Sequence, residues 1–173
     1  LIVEIGFGNG EQLLHASVAE PESNFIGIEV HTPGVGRLMN GLSAQRLCNT
    51  RVYADDAVDI LRDEIAPDSL NEVRIYFPDP WPKARHNKRR LIQPDLVDLI
   101  ASRLQLGGTL HLATDWEAYA GHMREVLQAN TKFTNIDSRG AAVERPAWRI
   151  QTHFEQRGRK LGHGVWDFIY RRG

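Results

Sequence analysis

Short apolar runs alternate with segments of helical periodicity along this chain. Runs typical of buried parallel strands lie at residues 1–6, 24–29, 51–54, 73–77 and 109–113. Two more strand-like runs follow at residues 133–137 and 165–171, separated by a long loop. This order predicts an α/β protein with a seven-stranded, mostly parallel sheet whose C-terminal strand is antiparallel.

Helical patterns fill the intervals between these strands. Helices are expected from about residue 11, over residues 32–47 and 57–65, and around residues 96–104 and 119–127. Thr32 is predicted to be an N-cap with Pro33 in the first turn, and Gly107 with Gly108 to end the fourth helix. We therefore expect helices on both faces of the sheet.

The composition predicts one globular domain over residues 1–173. No apolar run approaches the length of a membrane span. One cysteine, Cys48, excludes an internal disulfide, and the seven histidines show no metal-ligand spacing, so no metal is predicted. A cytoplasmic location is expected. Since the sequence starts on a strand without an initiator Met, we also expect an N-terminal segment to be missing from it.

A glycine-rich turn follows the first strand. The sequence EIGFGNG at residues 4–10 places Gly6, Gly8 and Gly10 where a ligand can approach the backbone at a helix N-terminus. Glu29 ends the second strand, where an acidic side chain can bind two ribose hydroxyls. The pattern predicts a nucleoside-binding site.

Two acidic residues distinguish this turn from one that binds a dinucleotide. Glu11 stands where such a turn has a third small residue, and Glu4 would repel a pyrophosphate. The turn resembles instead the S-adenosylmethionine site of class I methyltransferases, with Glu4 near the cationic methionine end. Asp56 follows the third strand, and two compatible roles stay open for it: a contact with the adenine end and an N-cap.

Asp79 stands between Pro78 and Pro80 after the fourth strand and is followed by Trp81. Prolines restrict the backbone, so this carboxylate is expected in one geometry. Ligands of open α/β sheets bind outside the carboxyl ends of the strands, so Asp79 and the glycine turn are expected to face one crevice.

Trp81 is predicted either to stack on a base or to pack beneath the loop. Five Lys and Arg residues within residues 83–90 predict contacts with phosphates, although the net charge of −1 argues weakly against a nucleic-acid partner.

Together these motifs resemble the bacterial tRNA (guanine-N7-)-methyltransferases over nearly the whole chain. The resemblance rests on residues 4–10, 27–31, 77–83, 85–90, 113–117 and 152–158. It implies the Rossmann-like fold of class I methyltransferases and methyl transfer from S-adenosylmethionine to guanine N7 at position 46 of the tRNA variable loop. The expected partner is tRNA, with no membrane; a monomer is expected, and a homodimer stays open.

The resemblance also implies roles for residues at matching positions. The cofactor would be bound by Glu4, Gly6, Gly8, Gly10, Glu29, Asp56 and Asp79, with Asp79 also catalytic. The substrate would be bound by Lys83, Asp115, Thr152, His153, Phe154 and Glu155. The RNA would be bound by Arg85, His86, Asn87, Lys88, Arg89 and Arg90. A helix cap is the alternative role for Asp115.

The chemistry of guanine N7 defines a task for Asp79. N7 already carries a lone pair and the sulfonium is a strong electrophile, so much of the catalysis can be positioning. Methylation places positive charge on the base, and a nearby carboxylate stabilises that charge. Asp79 is expected to accept hydrogen bonds from the N1–H and N2–H edge or to stabilise the charge nearby.

Three other functions stay open on the residues alone. The first is a class I methyltransferase that acts on amino or amide nitrogens. Those enzymes have a related loop, Asn/Asp-Pro-Pro-aromatic, and Trp81 of this chain stands where their second proline is. An NAD-dependent oxidoreductase is disfavoured by Glu11. An RNA-binding module without catalysis is disfavoured by the set Glu4, Glu29 and Asp79.

Overall fold

Strands and helices alternate in the computed structural model, which describes residues 1–160, 162 and 164–173 without the side chains of Phe154 and Arg157. The strands are β1 (Ile2–Ile5), β2 (Phe25–Ile28), β3 (Thr50–Tyr53), β4 (Leu70–Tyr76), β5 (Leu104–Thr114), β6 (Phe133–Asn135) and β7 (Trp166–Arg172). The helices are α1 (Glu11–Ala19), α2 (Thr32–Ala44), α3 (Ala57–Asp63), α4 (Pro94–Arg103), α5 (Glu117–Ala129) and α6 (His153–Lys160). A 3₁₀ helix spans Ala84–Arg89.

The seven strands form one sheet in the order β3-β2-β1-β4-β5-β7-β6. Strands β1 to β5 are parallel, and β7 runs antiparallel to both of its neighbours. This confirms the predicted sheet. The direction of winding reverses between β1 and β4, and in open α/β sheets a ligand crevice forms at that switch point. The glycine turn leaves β1, and residues 77–81, the Asp79 loop, leave β4, so both start at this crevice.

Two apolar clusters lie on opposite faces of the sheet, as the alternation of side chains along each strand requires. Val3 and Ile5 of β1 pack with residues of α3, α4 and α5. Ile2 packs in a smaller cluster with Leu13 of α1 and Leu38 of α2. Helices therefore cover both faces. Among the described residues, no helix has the length and apolar character needed to cross a membrane.

The predicted end of the fourth helix at two glycines is wrong. Helix α4 ends at Arg103, and β5 continues directly through Gly107 and Gly108. Gly107 has a φ of +79°, and a Cβ on Gly108 would lie 3.1 Å from the Leu70 carbonyl oxygen. The pairing of β4 with β5 also shifts register here. The glycines therefore accommodate a strand irregularity instead of a helix cap.

Two smaller expectations also differ from the structure. The N-cap of α2 is His31, one residue before the predicted Thr32. Residues 153–160, predicted to be loop, form α6. Neither change moves the glycine turn or the Asp79 loop.

Candidate active site

A cavity of about 400 Å³ lies at the switch point of the sheet. Its walls are the glycine turn, the start of α1, the end of β4 and the segment that leads into α6. This volume is that of a small-molecule site. Among the described residues, no group of three His, Cys, Asp or Glu side chains is arranged to hold a metal ion.

The glycine turn has the backbone that its sequence predicts. Gly6, Gly8 and Gly10 have φ values of +71°, +56° and +78°, which favour glycine. Glu29 holds the turn in place, because its Oε2 accepts from the Gly8 N–H at 2.8 Å and its Oε1 from the His31 N–H at 2.9 Å. Each carboxylate oxygen has two lone pairs, so Glu29 can still accept a hydrogen bond from a ribose hydroxyl.

Gly34 of α2 packs directly on this turn. A Cβ at this position would lie 2.0 Å from the Gly8 carbonyl oxygen, a backbone atom that cannot rotate away. We expect Gly34→Ala to displace the turn and lower the free energy of unfolding by about 1–3 kcal/mol.

Gly36 provides the matched control for this change. It lies two residues further along α2, and a Cβ there would meet no atom within 4 Å. Gly36→Ala is expected to preserve or raise stability. Equilibrium unfolding in urea of both variants checks the prediction, which fails if they are equally stable.

Glu4 brings a carboxyl group to the wall of the cavity. It is only 3% exposed, and its Oε2 has no hydrogen-bond partner. Burial raises the pKa of Glu4 to about 8, against the opposing effect of Arg74. A buried, unpaired carboxyl oxygen of this kind fits a cationic ligand, because the cation would supply the missing partner.

The Asp79 loop is strained at both ends. Phe77 and Trp81 have φ values of +52° and +43°, which are uncommon for residues with side chains and often mark functional loops. Oδ1 of Asp79 accepts from the Trp81 N–H at 3.0 Å, so the side chain orients its own turn. Asp79 is exposed and stands two residues, at most about 7 Å of chain, beyond the cavity wall at Phe77.

The basic run after this loop folds as the 3₁₀ helix, and Trp81 packs against it. The ring centres of Trp81 and His86 lie 5.7 Å apart in an edge-on arrangement. The guanidinium carbon of Arg89 lies 5.0 Å from the centre of the Trp81 ring. Trp81 therefore packs within the loop region. The side chains of Lys83, Arg85, Lys88 and Arg89 are exposed, and those of His86 and Asn87 are half-buried.

Arg90 differs from the rest of the basic run. It is buried, its Nε donates to the Pro80 carbonyl at 2.9 Å, and its guanidinium lies 5.0 Å from the centre of the Tyr119 ring. These contacts hold the Asp79 loop against Tyr119. The RNA contact of Arg90 stays a prediction.

The residues predicted to bind the substrate occupy different places. Thr152 and His153 line the cavity, and the Thr152 hydroxyl accepts from the Glu155 N–H at 3.4 Å at the start of α6. Glu155 is buried in an ion pair with Arg149. The predicted contact of the Phe154 side chain lies outside the described residues.

Three other predicted site residues lie outside the cavity wall. Asp56 is exposed and accepts from the Val58 N–H at 2.7 Å, which confirms its N-cap role. Asp115 is half-buried after β5, and Trp116, one residue later, is the N-cap of α5. Lys83 precedes the 3₁₀ helix.

Sequence reasoning missed two residues that shape the cavity. Gln12 of α1 donates to the Trp148 carbonyl at 3.1 Å and accepts from the Ile150 N–H at 2.7 Å, which fixes the segment before α6. Arg149, in the same segment, is 1% exposed and belongs to the cavity wall. No motif marks either residue, because their partners are distant in the sequence.

Known methyltransferases resemble this chain over nearly its whole length. A family model described as "Putative methyltransferase" matches residues 1–168. The chain is 56% identical over 171 residues to a tRNA (guanine-N(7)-)-methyltransferase of Xanthomonas oryzae, covering 99% of this chain and 68% of that protein. It is 52% identical to the enzyme of the same name from Stutzerimonas stutzeri, covering 98% of this chain and 71% of that protein.

Solved structures support the fold independently. An rRNA methylase from Streptococcus thermophilus superposes with a TM-score of 0.63 at 14% identity, covering 99% of this chain and 86% of that one. At 14% sequence identity, this likeness supports the fold and not the function. The sequence comparisons carry the finer assignment: the chain belongs to the family of the tRNA (guanine-N7-)-methyltransferases.

Proposed function

We propose that this chain transfers the methyl group of S-adenosylmethionine to N7 of a guanine in tRNA. The observation that carries the proposal is the buried, unpartnered Oε2 of Glu4 in a glycine-walled cavity. The sequence identity to tRNA (guanine-N(7)-)-methyltransferases supplies the substrate. The variable-loop guanine at position 46 and a cytoplasmic location belong to the proposal.

The residues around the cavity fit the proposed cofactor. S-adenosylmethionine supplies an electrophilic methyl group on a cationic sulfur. Glu4 lies where it can pair with the cationic methionine end, while Glu29 can accept from the ribose hydroxyls. We assign Asp56, which follows β3, to the adenine end. The glycine turn offers backbone without side chains to the rest of the molecule.

Asp79 acts on the guanine in this proposal. N7 attacks with its own lone pair, so the protein has no proton to remove from it first. The bond from the Trp81 N–H to Oδ1 orients the Asp79 carboxylate. In this proposal the carboxylate accepts from the guanine N–H edge. Positive charge grows on the base as the methyl is transferred, and the carboxylate stabilises it.

Exposed cations of the 3₁₀ helix provide the contacts with tRNA phosphates. We expect the double variant Arg85→Ala, Lys88→Ala to bind tRNA more weakly and with a shallower dependence on salt. The slope of log K against log salt is negative, and its magnitude should decrease by about 0.7–0.9 for each phosphate that the variant no longer binds.

Filter binding of tRNA between low and moderate salt measures this slope. Arg171→Ala, at an exposed position on β7, is the control and should keep the parent slope. The RNA-contact proposal is refuted if the double variant retains the parent slope.

Methyl transfer tests the proposed function. The protein is incubated with methyl-labelled S-adenosylmethionine and tRNA, and the tRNA is then digested and its nucleosides separated. The label is expected in N7-methylguanosine. Label in another nucleoside would contradict the proposal. Stabilisation against heat by NAD but not by S-adenosylmethionine would favour an oxidoreductase.

A further inference from the structure

Arg149 has the largest volume of the fully buried side chains among the described residues, although it carries a charge. Its guanidinium donates to Oδ1 and Oδ2 of Asp167 at 2.6 and 2.7 Å and to Oε2 of Glu155 at 2.5 Å. Asp167 belongs to β7 and Glu155 to α6. One planar, rigid group therefore fixes α6 to the sheet.

The network continues to the end of β4. Oδ1 of Asp167 also lies 2.9 Å from Nε2 of His111, and Nδ1 of His111 lies 2.8 Å from the Tyr76 hydroxyl. An ionised carboxylate only accepts, so we assign the proton to Nε2, and Nδ1 accepts from Tyr76. Burial acts to raise the pKa of Asp167, but hydrogen bonds from His111 and Arg149 outweigh it and lower that pKa.

Arg149 also packs on the last residue of β4 and the first residue of the Asp79 loop. Its guanidinium carbon lies 5.8 Å from the ring centre of Tyr76 and 5.4 Å from that of Phe77. These distances are within the range of cation–π contacts. Phe77 is one of the strained residues of the loop, and such a conformation persists only where neighbouring contacts enforce it.

The other bonds of the segment before α6 run to a different part of the cavity. Gln12 binds the backbone at Trp148 and Ile150, and Glu11 accepts from the His153 N–H at 3.1 Å. These bonds hold the segment to α1. Arg149, in the same segment, instead contacts the end of β4.

We infer that Arg149 is a positioning residue that sets the separation between the Asp79 loop and the N-terminus of α6. It does so by binding Glu155 and Asp167 while packing on Phe77. The inference rests on the proposed function, in which Asp79 and the start of α6 contact the same substrate. Methyl transfer needs N7 in line with the donor, and a displacement of about 1 Å can lower the rate about 100-fold.

The variant Arg149→Lys tests this role with the charge retained. A lysine ammonium cannot form the fork with Asp167 and also reach Glu155 in the same geometry. We expect kcat to fall about 100-fold, while the KM for tRNA and the Kd for S-adenosylmethionine change by less than about threefold. If Arg149→Lys fails to fold, Asp167→Asn is the second variant. It keeps the shape of the Asp167 side chain, removes its charge and should also lower kcat.

Arg103→Lys is the matched control. Arg103 donates to the Leu61 and Arg62 carbonyls at 2.7 and 3.1 Å, between α4 and α3 and away from the cavity. It is expected to keep the parent kcat. An Arg149→Lys or folded Asp167→Asn variant with parent kcat would overturn the inference.

Hydrogen exchange gives a readout that does not depend on activity. The Phe77 and Trp81 N–H groups, bonded to the Ala113 carbonyl and to Asp79, report on the loop, and the Gln156 N–H, bonded to the Thr152 carbonyl, reports on α6. Both reporters should exchange at least about 10-fold faster in Arg149→Lys and stay unchanged in Arg103→Lys. Loosening of α6 alone would contradict the inference. If the parent protein methylates no tRNA, the proposed function fails, whereas joint loosening still supports the positioning role.

Discussion

Asp79→Asn is expected to lower kcat for tRNA methylation about 100-fold to 1,000-fold. The change replaces a negative charge with a neutral amide of the same shape, at the place where positive charge grows on the guanine. The Asn oxygen can still accept from the Trp81 N–H, so the turn is retained. Single-turnover methylation with saturating cofactor measures the effect on the chemical step.

Asp137→Asn is the control for this variant. Asp137 makes the same kind of turn, since its Oδ1 accepts from the Arg139 N–H at 2.8 Å, and it lies after β6, away from the cavity. Asp79 is exposed and Asp137 is half-buried, and both variants should unfold within about 1 kcal/mol of the parent because the turn hydrogen bond is kept. Parent-like turnover by Asp79→Asn would remove Asp79 from the catalytic role.

Glu4→Gln is expected to weaken S-adenosylmethionine binding about 100-fold. Glu4 is buried with one oxygen unpaired, so it offers a cation a partner that water does not screen. A neutral amide cannot supply the same attraction. A 100-fold change in Kd is about 2.7 kcal/mol, slightly below the ~3–5 kcal/mol typical of removing one partner of a buried ion pair. Isothermal titration gives the Kd directly, and an unchanged Kd would mean that the cofactor lies elsewhere.

The raised pKa of Glu4 makes this binding depend on pH. At a pKa of about 8, Glu4 in the free protein is mostly protonated at pH 7, whereas a bound cation favours the carboxylate. Binding at pH 7 should therefore release a proton, and the affinity should rise with pH up to about 8, by as much as about tenfold per unit. Titrations in buffers of different ionisation enthalpy measure the proton, and Glu4→Gln should abolish it.

In the free protein, Glu4 makes the free energy of unfolding decrease as pH rises, whereas it makes cofactor affinity increase. Between the usual pKa of 4.5 and the folded value of about 8, the folded state holds a proton that the unfolded state has lost. The contribution of Glu4 to stability is thus complete below pH 4.5 and declines as pH rises through this window, by about 1.4 kcal/mol per unit. Glu4→Gln should flatten this decline.

The features that the sequence predicts well are local ones. The three glycines after β1 fulfil a backbone requirement that is visible in adjacent residues, and Asp56 caps the helix directly behind it. The number of strands and the parallel direction of β1 to β5 follow from the regular alternation of strands and helices. Each of these depends on neighbours in the chain, which periodicity and turn chemistry describe.

The features that the sequence does not predict depend on distant partners. Arg149 is paired with Asp167, 18 residues away, and Asp167 with His111, 56 residues away, so no spacing marks the network. Helix α6 has no apolar stripe, because its described buried positions are Glu155 and Gly158. Arg90 lies in a run of cations, and only the fold shows that its side chain turns inward.

A crystal structure of the protein with S-adenosylhomocysteine bound would show whether the donor and Asp79 meet at one crevice. We expect the ligand in the glycine-walled cavity, with its ammonium group about 3 Å from Oε2 of Glu4 and its ribose hydroxyls at Glu29. Its sulfur should face the side of the crevice where Asp79 stands. A ligand bound outside this cavity, or with its sulfur turned away from Asp79, would overturn the proposed roles of Glu4 and Asp79.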